Sequence, residues 1–405
     1  MTRVLIIEAQ MKQYRRRFYE LLHAELARFR IELRVAYSDP PPSESQKHDN
    51  CELPVEYGAR VPGYWLAGER LLFQPLLREI LAADLVVIDQ ANKFLWNHLL
   101  LLSCRLGLKS VAFWGLGENL QANRSKFSEW YKRKTATWVD WWFGYTAGTL
   151  RYVESSGFPT SRSTAVQNAI DTRKIRKTVA ELTAEERARI RASLAIPAHA
   201  PVGIYVGMLH RVKDVPFLFA VAREVRRQTP DFHLLVVGGG PEAATLRAEA
   251  RTEEWIHFTG PRFGLEKAKL LGISDLSLMP GRVGLGILDA FAAGLPAVVT
   301  ELPFHGPEIE YLQDGTNGLL TPHDCSAMSA AVSRLLAQPE EKQRLKAGAL
   351  ASGEEFSVEA MAANFREGIL AWLESLSKRR KAQAHASPLG EHGVLAERNT
   401  IERQS

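Results

Sequence analysis

The sequence has few of the features that mark disulfide-rich, membrane-spanning or secreted proteins. Its three cysteines, Cys51, Cys104 and Cys325, are odd in number and far apart, so we expect neither a disulfide framework nor a cysteine metal site. No apolar run is long enough to span a bilayer, and the run at the amino terminus is too short for a signal peptide. We therefore expect a protein of a reducing compartment, the cytoplasm.

A strong excess of one charge is also missing. The 405 residues include 51 Lys or Arg and 46 Asp or Glu, which leaves a net charge of only +5. Because no aromatic RNA-binding motif or zinc-finger spacing accompanies these bases, we do not expect a nucleic-acid partner. The sequence also has no Asp-x-Asp motif, so we expect no essential metal.

What the sequence does have is the pattern of an α/β protein. Hydrophobic residues make up 46% of the chain, and its length favours two domains over one. Short apolar runs such as Val4–Ile7 and Val202–Val206 are followed by apolar residues at helical spacing. This alternation predicts two doubly wound, Rossmann-like domains with parallel sheets. Ligands of such sheets bind beyond the carboxyl ends of the strands.

The stretch from Met279 to Thr300 has the clearest chemical meaning. A strand from Leu276 to Met279 leads into a loop with Gly284 and Gly286, and a helix follows. Glycines let the backbone approach a ligand, and the first amides of a helix are unpaired donors, so this geometry suits a diphosphate. Asp289, about one turn into the helix, is placed to accept hydrogen bonds from a sugar hydroxyl pair. A glycine loop of this kind can also serve packing alone.

Gly281 to Pro296 resembles the signature of the retaining family 4 glycosyltransferases, Glu-Gly-Phe-Gly-Leu-x-x-x-Glu-Ala-x-Ala-x-Gly-x-Pro. Gly281 and Asp289 stand where that signature has its two glutamates. The resemblance implies the GT-B fold, in which two Rossmann-like domains face a cleft. It also implies a retaining enzyme that moves a sugar from a nucleotide-diphosphate sugar, as co-substrate in place of a cofactor, to a glycan or lipid-linked acceptor. Surface polysaccharide or glycoconjugate synthesis is the expected setting.

The resemblance places the donor in the second half of the chain. Gly207 to Lys213 resembles the family's Gly-Arg-Leu-x-x-x-x-Lys segment, whose two bases neutralise the diphosphate; Met208 stands at the Arg position. We therefore predict Lys213, Arg211 and Asp289 as the catalytic group. The predicted donor-binding set lies at glycine turns and strand ends and comprises Gly207, Gly238, Phe258, Gly260, Gly284, Leu285, Gly286, Ile287, Asp289 and Glu308. Gly238 could instead serve a tight turn, and Glu308 could instead cap a helix.

The acceptor is expected in the first half of the chain. The fourth strand there ends in a glycine-marked loop, Trp114-Gly115-Leu116-Gly117-Glu118-Asn119. Relatives in this family often have a histidine where Leu116 stands, so we do not expect a histidine contact to the donor sugar. The predicted acceptor-binding residues are Trp114, Gly115, Glu118 and Asn119.

Two segments combine bases with aromatic residues, residues 10–17 and residues 123–143. The simplest interpretation of the first is a solvated helix start, and of the second a core helix followed by a buried strand. Their functional interpretation is an anionic partner, either a lipid-linked phosphate or an anionic membrane at its inner face.

The patterns and the resemblance together divide the chain into five parts. Residues 1–171 form the acceptor-binding domain, which ends at the corner Asn168-Ala169-Ile170-Asp171. Residues 172–200 form a linker and a helix capped at Thr183. Residues 201–356 form the donor-binding domain. Residues 357–377 form a helix that crosses back to the first domain, and residues 378–405 are a disordered basic tail.

Two alternatives remain open from sequence. Gly281, Leu116 and Met208 stand where functional side chains are expected, which would fit a catalytically inactive GT-B protein that binds a glycan or a partner. A nucleotide-sugar epimerase on the same scaffold would need no acceptor. The nucleobase, the sugar, the acceptor and the linkage are not encoded in a recognisable motif.

Overall fold

The structure, a computed structural model, describes residues 1–43, 50–117 and 126–385. The strands in these ranges are β1 (Thr2–Gln10), β2 (Ile31–Ser38), β3 (Gly58–Arg60), β4 (Tyr64–Leu66), β5 (Leu71–Phe73), β6 (Leu85–Asp89), β7 (Ser110–Gly115), β8 (Trp141–Gly144), β9 (Ser163–Ala165), β10 (Val202–Val206), β11 (His233–Val237), β12 (Ile256–Gly260), β13 (Leu276–Met279), β14 (Ala297–Thr300) and β15 (Gly318–Thr321). The helices are α1 (Gln13–Ala27), α2 (Leu77–Ala82), α3 (Leu95–Arg105), α4 (Lys126–Thr135), α5 (Ala147–Ser155), α6 (Arg173–Glu181), α7 (Ala184–Ser193), α8 (Val215–Gln228), α9 (Ala243–Glu249), α10 (Gly264–Gly272), α11 (Gly286–Ala292), α12 (Cys325–Ala337), α13 (Pro339–Glu355) and α14 (Val358–His385).

These strands form two sheets in which all neighbours are parallel. Within the described ranges, the first sheet has the order β3-β2-β1-β6-β7-β8-β9 and the second the order β12-β11-β10-β13-β14-β15. The short strands β4 and β5 pair separately as an antiparallel hairpin. This topology confirms the two doubly wound domains predicted from sequence.

The run from Val4 to Ile7 shows why the central strands are continuously apolar. Val4 and Ile6 face a core shared with α1 and α14, whereas Leu5 and Ile7 face a core shared with α2 and α3. A parallel strand covered by helices on both faces needs apolar residues at every position rather than at alternate ones.

In each sheet the strand order reverses beside the first strand of the domain. The reversal lies between β1 and β6 in the first domain and between β10 and β13 in the second. Loops leave such a point in opposite directions and open a crevice at the carboxyl ends of the strands. The loops that follow β1, β10 and β13 are therefore the places to look for a site.

The segment predicted as a linker, residues 172–182, is mostly a packed helix. Ile175 in α6 and Leu182 just after it are buried, and α6 lies against α10 of the second domain. Gly272 in α10 leaves the space that Leu182 fills, since a Cβ there would lie 2.5 Å from the Leu182 side chain. Because most residues around these two side chains are charged or polar, the sequence pattern did not reveal that this segment has a buried apolar face. The capping box at Thr183 is confirmed.

The last helix, α14, is longer than the sequence predicted. It packs along α1 in the first domain and buries Met361, Phe365, Ile369 and Trp372 completely. We predicted disorder from residue 378 onward, but α14 continues to His385, and Arg379 forms an ion pair with Asp140 at 2.8 Å. Residues 386–405 lie outside the described residues. None of the helices described is both long and apolar enough to cross a bilayer.

Phe365 is expected to be essential for docking α14 on the first domain. Its ring stacks on that of Phe143 with centroids 4.1 Å apart and contacts Phe18 and Trp114. Because the side chain is fully buried, Phe365→Ala should lower the free energy of unfolding by about 3–5 kcal/mol, measured by urea denaturation. The matched control is Phe263→Ala, whose ring is 77% exposed and whose loss should matter little. Equal effects of the two variants would contradict this packing.

Candidate active site

Two loops of the second domain are joined at the carboxyl end of its sheet. One follows β10 and ends in a 3-10 turn at Arg211–Lys213, and the other follows β13 and leads to α11. The Arg282 amide donates to the Val212 carbonyl oxygen at 2.8 Å, and the Lys213 amine donates to the Arg282 carbonyl oxygen at 2.5 Å. These bonds hold the two loops side by side. They are the two segments of the second domain in which the sequence resembles the family's motifs.

The close contact between the loops explains the glycine at position 281. A Cβ there would lie 2.4 Å from the Lys213 carbonyl carbon and 2.5 Å from the Val212 carbonyl oxygen. Both obstacles are backbone atoms, which cannot move aside as a flexible side chain can. The glutamate of the family signature therefore does not fit here, and Gly281 is a packing requirement of this loop pair.

Cationic and polar groups gather at this loop pair. Lys213 is mostly enclosed, and burial first, then the nearby Arg282 guanidinium, lowers the pKa of its amine. His305 accepts a hydrogen bond from the Val283 amide at 3.0 Å and donates one to the Thr300 carbonyl oxygen at 2.7 Å, and burial lowers its pKa, which favours the neutral ring. Arg211, which we predicted as the second cation, is exposed to solvent, whereas Arg282 lies beside Lys213.

Glu308 connects this cluster to the first domain. Its carboxylate is 5% exposed and accepts a hydrogen bond from the Asn168 side-chain amide at 2.6 Å. Burial is the main cause that raises the pKa of this carboxyl, while Asn168, Arg15 and Arg282 act in the opposite direction. The Tyr311 hydroxyl donates to the Asn168 carbonyl oxygen at 3.0 Å. Glu308 thus bonds to the other domain and does not cap the short helix at Pro307–Tyr311.

Asp289 is held by a neighbouring lysine. One carboxylate oxygen accepts a hydrogen bond from the Lys267 amine of α10 at 2.7 Å, and the second oxygen, also buried, has no partner within the described part of the chain. The carboxylate is therefore fixed at the start of α11 with one acceptor unused. The ribose contact that we predicted for Asp289 would have to use that second oxygen.

The other predicted donor residues fall into two groups. Gly207 and Gly238 pack their two loops together: the Gly207 amide bonds to the Val237 carbonyl oxygen at 3.0 Å, and a Cβ on Gly238, whose φ is +157°, would lie 1.8 Å from the Gly207 carbonyl oxygen. The Phe258 ring packs edge-on against Phe219 in the core. By contrast, Gly260, with φ +74°, has open space where a Cβ would be.

The loop before α11 is open on one side. A Cβ on Gly284 would meet no atom within 4 Å, and one on Gly286 would meet only the Val206 carbonyl oxygen at 3.5 Å. Leu285 lies between these two glycines and is half-buried. The Ile287 amide already donates to the Gly284 carbonyl oxygen at 3.2 Å. The open face therefore belongs to residues 284–286 rather than to Ile287.

The first domain contributes the ends of three strands to the same side. Trp114 at the end of β7 is almost fully buried among aromatic rings, and Gly115 lies beside Asp89, since a Cβ on Gly115 would be 3.3 Å from that carboxylate. Asp89, the last residue of β6, is exposed to solvent. Burial raises the pKa of Glu8, which accepts a hydrogen bond from the Tyr19 hydroxyl at 2.6 Å. Glu118 and Asn119 lie outside the described residues.

The sequence therefore placed Lys213, the open glycine loop and the strand ends, and it missed their partners. Asn168 appeared only as part of the domain corner, Arg282 only within the signature stretch, and Asp89 was not among the predicted site residues. Their one common signal is a position at the carboxyl end of a strand or a few residues beyond it, where parallel α/β sheets collect ligand contacts.

The backbone contact at Gly281 can be tested by adding a single methyl group. Gly281→Ala should destabilise the protein by about 1–3 kcal/mol because the loop after β10 must move, and Gly281→Glu should do more damage rather than restore a family function. Thermal unfolding of the unliganded protein measures both changes. Gly284→Ala is the matched control, because its Cβ would meet open space. Equal stabilities for the alanine variants at 281 and 284 would refute the proposed steric block.

Comparison of the sequence with known families gives one match in the second domain. Residues 200–338 match the family described as Glycosyl transferases group 1. D-inositol 3-phosphate glycosyltransferase of Saccharomonospora viridis is 26% identical over 206 residues, which are 46% of this chain and 47% of that protein. GDP-mannose-dependent alpha-(1-6)-phosphatidylinositol monomannoside mannosyltransferase of Mycolicibacterium smegmatis is 32% identical over 169 residues, 38% of this chain and 43% of that protein. The matched region thus spans less than half the length of each relative.

Solved structures match over nearly the whole chain. Anabaena Alr3699/HepE in complex with UDP superposes with a TM-score of 0.66, at 14% identity, over 92% of this chain and 100% of that chain. WaaG, a glycosyltransferase involved in lipopolysaccharide biosynthesis, gives a TM-score of 0.63 at 15% identity, over 90% of this chain and 98% of that chain. At these identities the likeness establishes the fold. The chain therefore has the GT-B fold, and residues 200–338 of its second domain resemble the group 1 glycosyltransferases.

Proposed function

We propose that this protein is a retaining glycosyltransferase that moves a sugar from a nucleotide-diphosphate sugar to a glycan or lipid-linked acceptor, in surface polysaccharide or glycoconjugate synthesis. The observation that carries the proposal is the loop pair after β10 and β13. There the open backbone of Gly284–Gly286 lies near two cations, Lys213 and Arg282, at the carboxyl end of a parallel sheet. A diphosphate needs this combination of free backbone and fixed positive charge.

The comparisons support a nucleotide-sugar donor without naming it. Complexes of Anabaena Alr3699/HepE contain UDP and UDP-glucose, whereas the mannosyltransferase relative is described as GDP-mannose-dependent. In our proposal Lys213 and Arg282 neutralise the diphosphate. The exposed Arg211 supplies additional positive charge nearby. The backbone at Gly260 borders the nucleobase, and the free oxygen of Asp289 reaches the ribose.

The proposed reaction needs no side-chain base and no metal. The bond between the anomeric carbon and the phosphate oxygen breaks while the acceptor hydroxyl attacks the same face of the sugar. The acceptor proton passes to the departing phosphate, and the configuration at the anomeric carbon is kept. The task of the protein is then to stabilise the charge that develops on the leaving phosphate, which is where Lys213 and Arg282 lie.

Nucleotide binding tests this proposal directly. UDP, GDP, ADP and their sugar conjugates should be screened by thermal unfolding, since a ligand at about 100 times its dissociation constant adds about 2.7 kcal/mol to stability. We expect one nucleotide to stabilise the wild type and Lys213→Met to lose most of that effect. Lys346→Met, which removes an exposed lysine of the same domain, is the matched control.

The outcomes of this screen separate the alternatives. If no nucleotide stabilises the protein at millimolar concentration, the enzyme proposal fails and a glycan-binding or partner-binding GT-B protein replaces it. If a nucleotide sugar binds and is converted without any acceptor, product analysis would show an epimerase instead.

The pH dependence of nucleotide affinity should report the environment of Lys213. An ordinary lysine has a pKa of about 10.4. Burial lowers the pKa of the Lys213 amine, so this side chain loses its positive charge at a lower pH than an ordinary lysine does. Titration calorimetry should therefore show affinity falling as the pH rises from about 7 to about 10, whereas Lys213→Arg should keep a nearly constant affinity. Parallel profiles for the two proteins would contradict this role.

We also propose that the first domain contacts an anionic membrane at its inner face. In and after α3, four leucines are largely exposed: Leu99, Leu102, Leu106 and Leu108. Helix α4 lies beside α3 through a hydrogen bond of 2.7 Å between His98 and Tyr131, and it exposes Trp130, Arg133 and Lys134. An apolar face bordered by bases suits an anionic lipid surface. The aromatic residues at 141–143, by contrast, lie in β8 and belong to the core.

Vesicle co-sedimentation tests this contact. Wild type should bind vesicles that contain phosphatidylglycerol at low salt, and a triple variant with Leu99, Leu102 and Leu106 changed to Ser should bind much less. Leu265→Ser is the control, because that leucine is 60% exposed in the other domain. Binding that survives the triple change, or no binding by the wild type, would remove the membrane contact from the proposal.

A further inference from the structure

Arg15 differs from the two arginines that follow it in α1. Arg16 and Arg17 form ion pairs with Glu20 at 3.1 and 3.2 Å, as expected of a solvated helix start. Arg15 is only 6% exposed, although it lies in the first turn of the same helix. A fully charged guanidinium in such a place requires an explanation, since buried charges in proteins are normally paired.

Aromatic rings surround the Arg15 guanidinium. Its central carbon lies 4.8 Å from the ring centroid of Trp114, 5.1 Å from that of Tyr14 and 5.7 Å from that of Tyr145. Stacking of this kind stabilises the cation and orients its plane, but it leaves the N–H groups without acceptors. The rings therefore hold the guanidinium in place without satisfying its hydrogen bonds.

Hydrogen bonding to Arg15 is nearly absent in the part of the chain that the structure describes. One terminal nitrogen lies 3.7 Å from the Met361 sulfur, a weak acceptor, and no carboxylate of the described residues lies within ion-pair distance. A guanidinium has five N–H donors. Glu8, whose charge acts on Arg15 without a direct hydrogen bond, already accepts one from Tyr19. Most N–H groups of Arg15 therefore have no strong acceptor among the described residues.

Arg15 also lies where the two domains meet. Its charge acts on Glu308 and Tyr311 of the second domain, and Met361 of α14 touches it from below. The indole nitrogen of Trp114, under the guanidinium, is a second buried donor with no partner in the described ranges. Two unused donor groups thus share one corner of the first domain, next to the strand ends that we assign to the acceptor.

We propose that Arg15 binds a phosphate monoester of the acceptor, so that the enzyme uses a phosphorylated sugar or lipid. That the phosphate belongs to an acceptor rests on the proposed function. Phosphate binding by Arg15 does not depend on it. A guanidinium fork matches two phosphate oxygens at once. The donor diphosphate has its own cations, Lys213 and Arg282, on the opposite domain, which leaves Arg15 for the second substrate.

The test measures binding of two probes, glucose 6-phosphate and dihexanoyl phosphatidic acid, by titration calorimetry, with glucose as the neutral control. The two probes distinguish a sugar phosphate from a lipid phosphate. The proteins are wild type, Arg15→Met, Arg15→Lys and the matched control Arg16→Met. Thermal unfolding of each variant is recorded alongside, and Lys213→Met reports any phosphate that binds at the donor loops instead.

Arg15→Met should weaken binding of at least one phosphate probe by about tenfold or more, as expected when a charged hydrogen-bonding group is removed. Arg15→Lys should retain part of the affinity, and Arg16→Met all of it. Arg15→Met will also remove a charge that acts on Glu8 and Glu308, so thermal unfolding serves to show that each variant is folded under the conditions of the titration. Partial recovery of phosphate affinity in Arg15→Lys distinguishes a binding role from a structural one.

The proposal is overturned if wild type binds neither probe at millimolar concentration, or if Arg15→Met binds both as well as wild type does. A phosphate affinity that disappears in Lys213→Met but not in Arg15→Met also overturns it, since the phosphate would then lie at the donor loops. Nucleotide binding without phosphate binding would refute this inference and leave the glycosyltransferase proposal standing. Phosphate binding through Arg15 without nucleotide binding would refute the glycosyltransferase proposal and leave the phosphate site standing.

Discussion

The hydrogen bond between Asn168 and Glu308 is the constraint on which the rest of the site depends. It joins side chains 140 residues apart in the sequence, it is buried, and it ties the corner that ends the first domain to the turn that follows β14. A buried carboxylate is costly unless neighbouring groups stabilise it. Its surroundings provide that stabilisation: Arg15 from one domain and Arg282 from the other both counteract the rise in its pKa.

Three cations in this corner outnumber the two enclosed carboxylates that act on them, Glu308 and Glu8. Lys213, Arg282 and Arg15 all lie close enough to Glu308, or to one another, to influence its titration or their own. Burial lowers the pKa of Lys213, which means that its surroundings disfavour the charged amine. In our proposal an incoming diphosphate would offset that cost, because its oxygens would replace the lost hydration of the cations with direct contacts. The proposed anion site lies at this corner, next to the open loop at Gly284–Gly286.

The sequence predicted those parts of this protein that follow from local patterns. Strands appear as apolar runs because parallel sheets are covered on both faces, and the glycine loop after β13 is visible because backbone requirements leave a mark on the sequence. Partners that are distant along the chain leave no such mark. Nothing in the sequence pairs Asn168 with Glu308, or Asp289 with Lys267, because those contacts exist only once the sheets have formed.

Two further differences between prediction and structure have the same origin. Gly281 looked like a lost catalytic acid, yet it is required by the backbone of Val212 and Lys213, which only the folded loop brings near. Arg15 looked like one of three equivalent bases, yet only the tertiary structure places it among Trp114 and Tyr145. The local charge pattern does not distinguish Arg15 from Arg16 and Arg17, whereas its burial in the folded protein does.

The central proposal is that a nucleotide sugar binds the loops after β10 and β13, beside the corner that the Asn168–Glu308 hydrogen bond fixes. Hydrogen–deuterium exchange with and without a saturating nucleotide sugar tests it most directly. We predict slower exchange in residues 207–213 and 281–288 of the second domain together with residues 164–171 of the first. Slower exchange confined to segments away from these loops, or no change in any of them when the ligand is known to bind, would contradict the account.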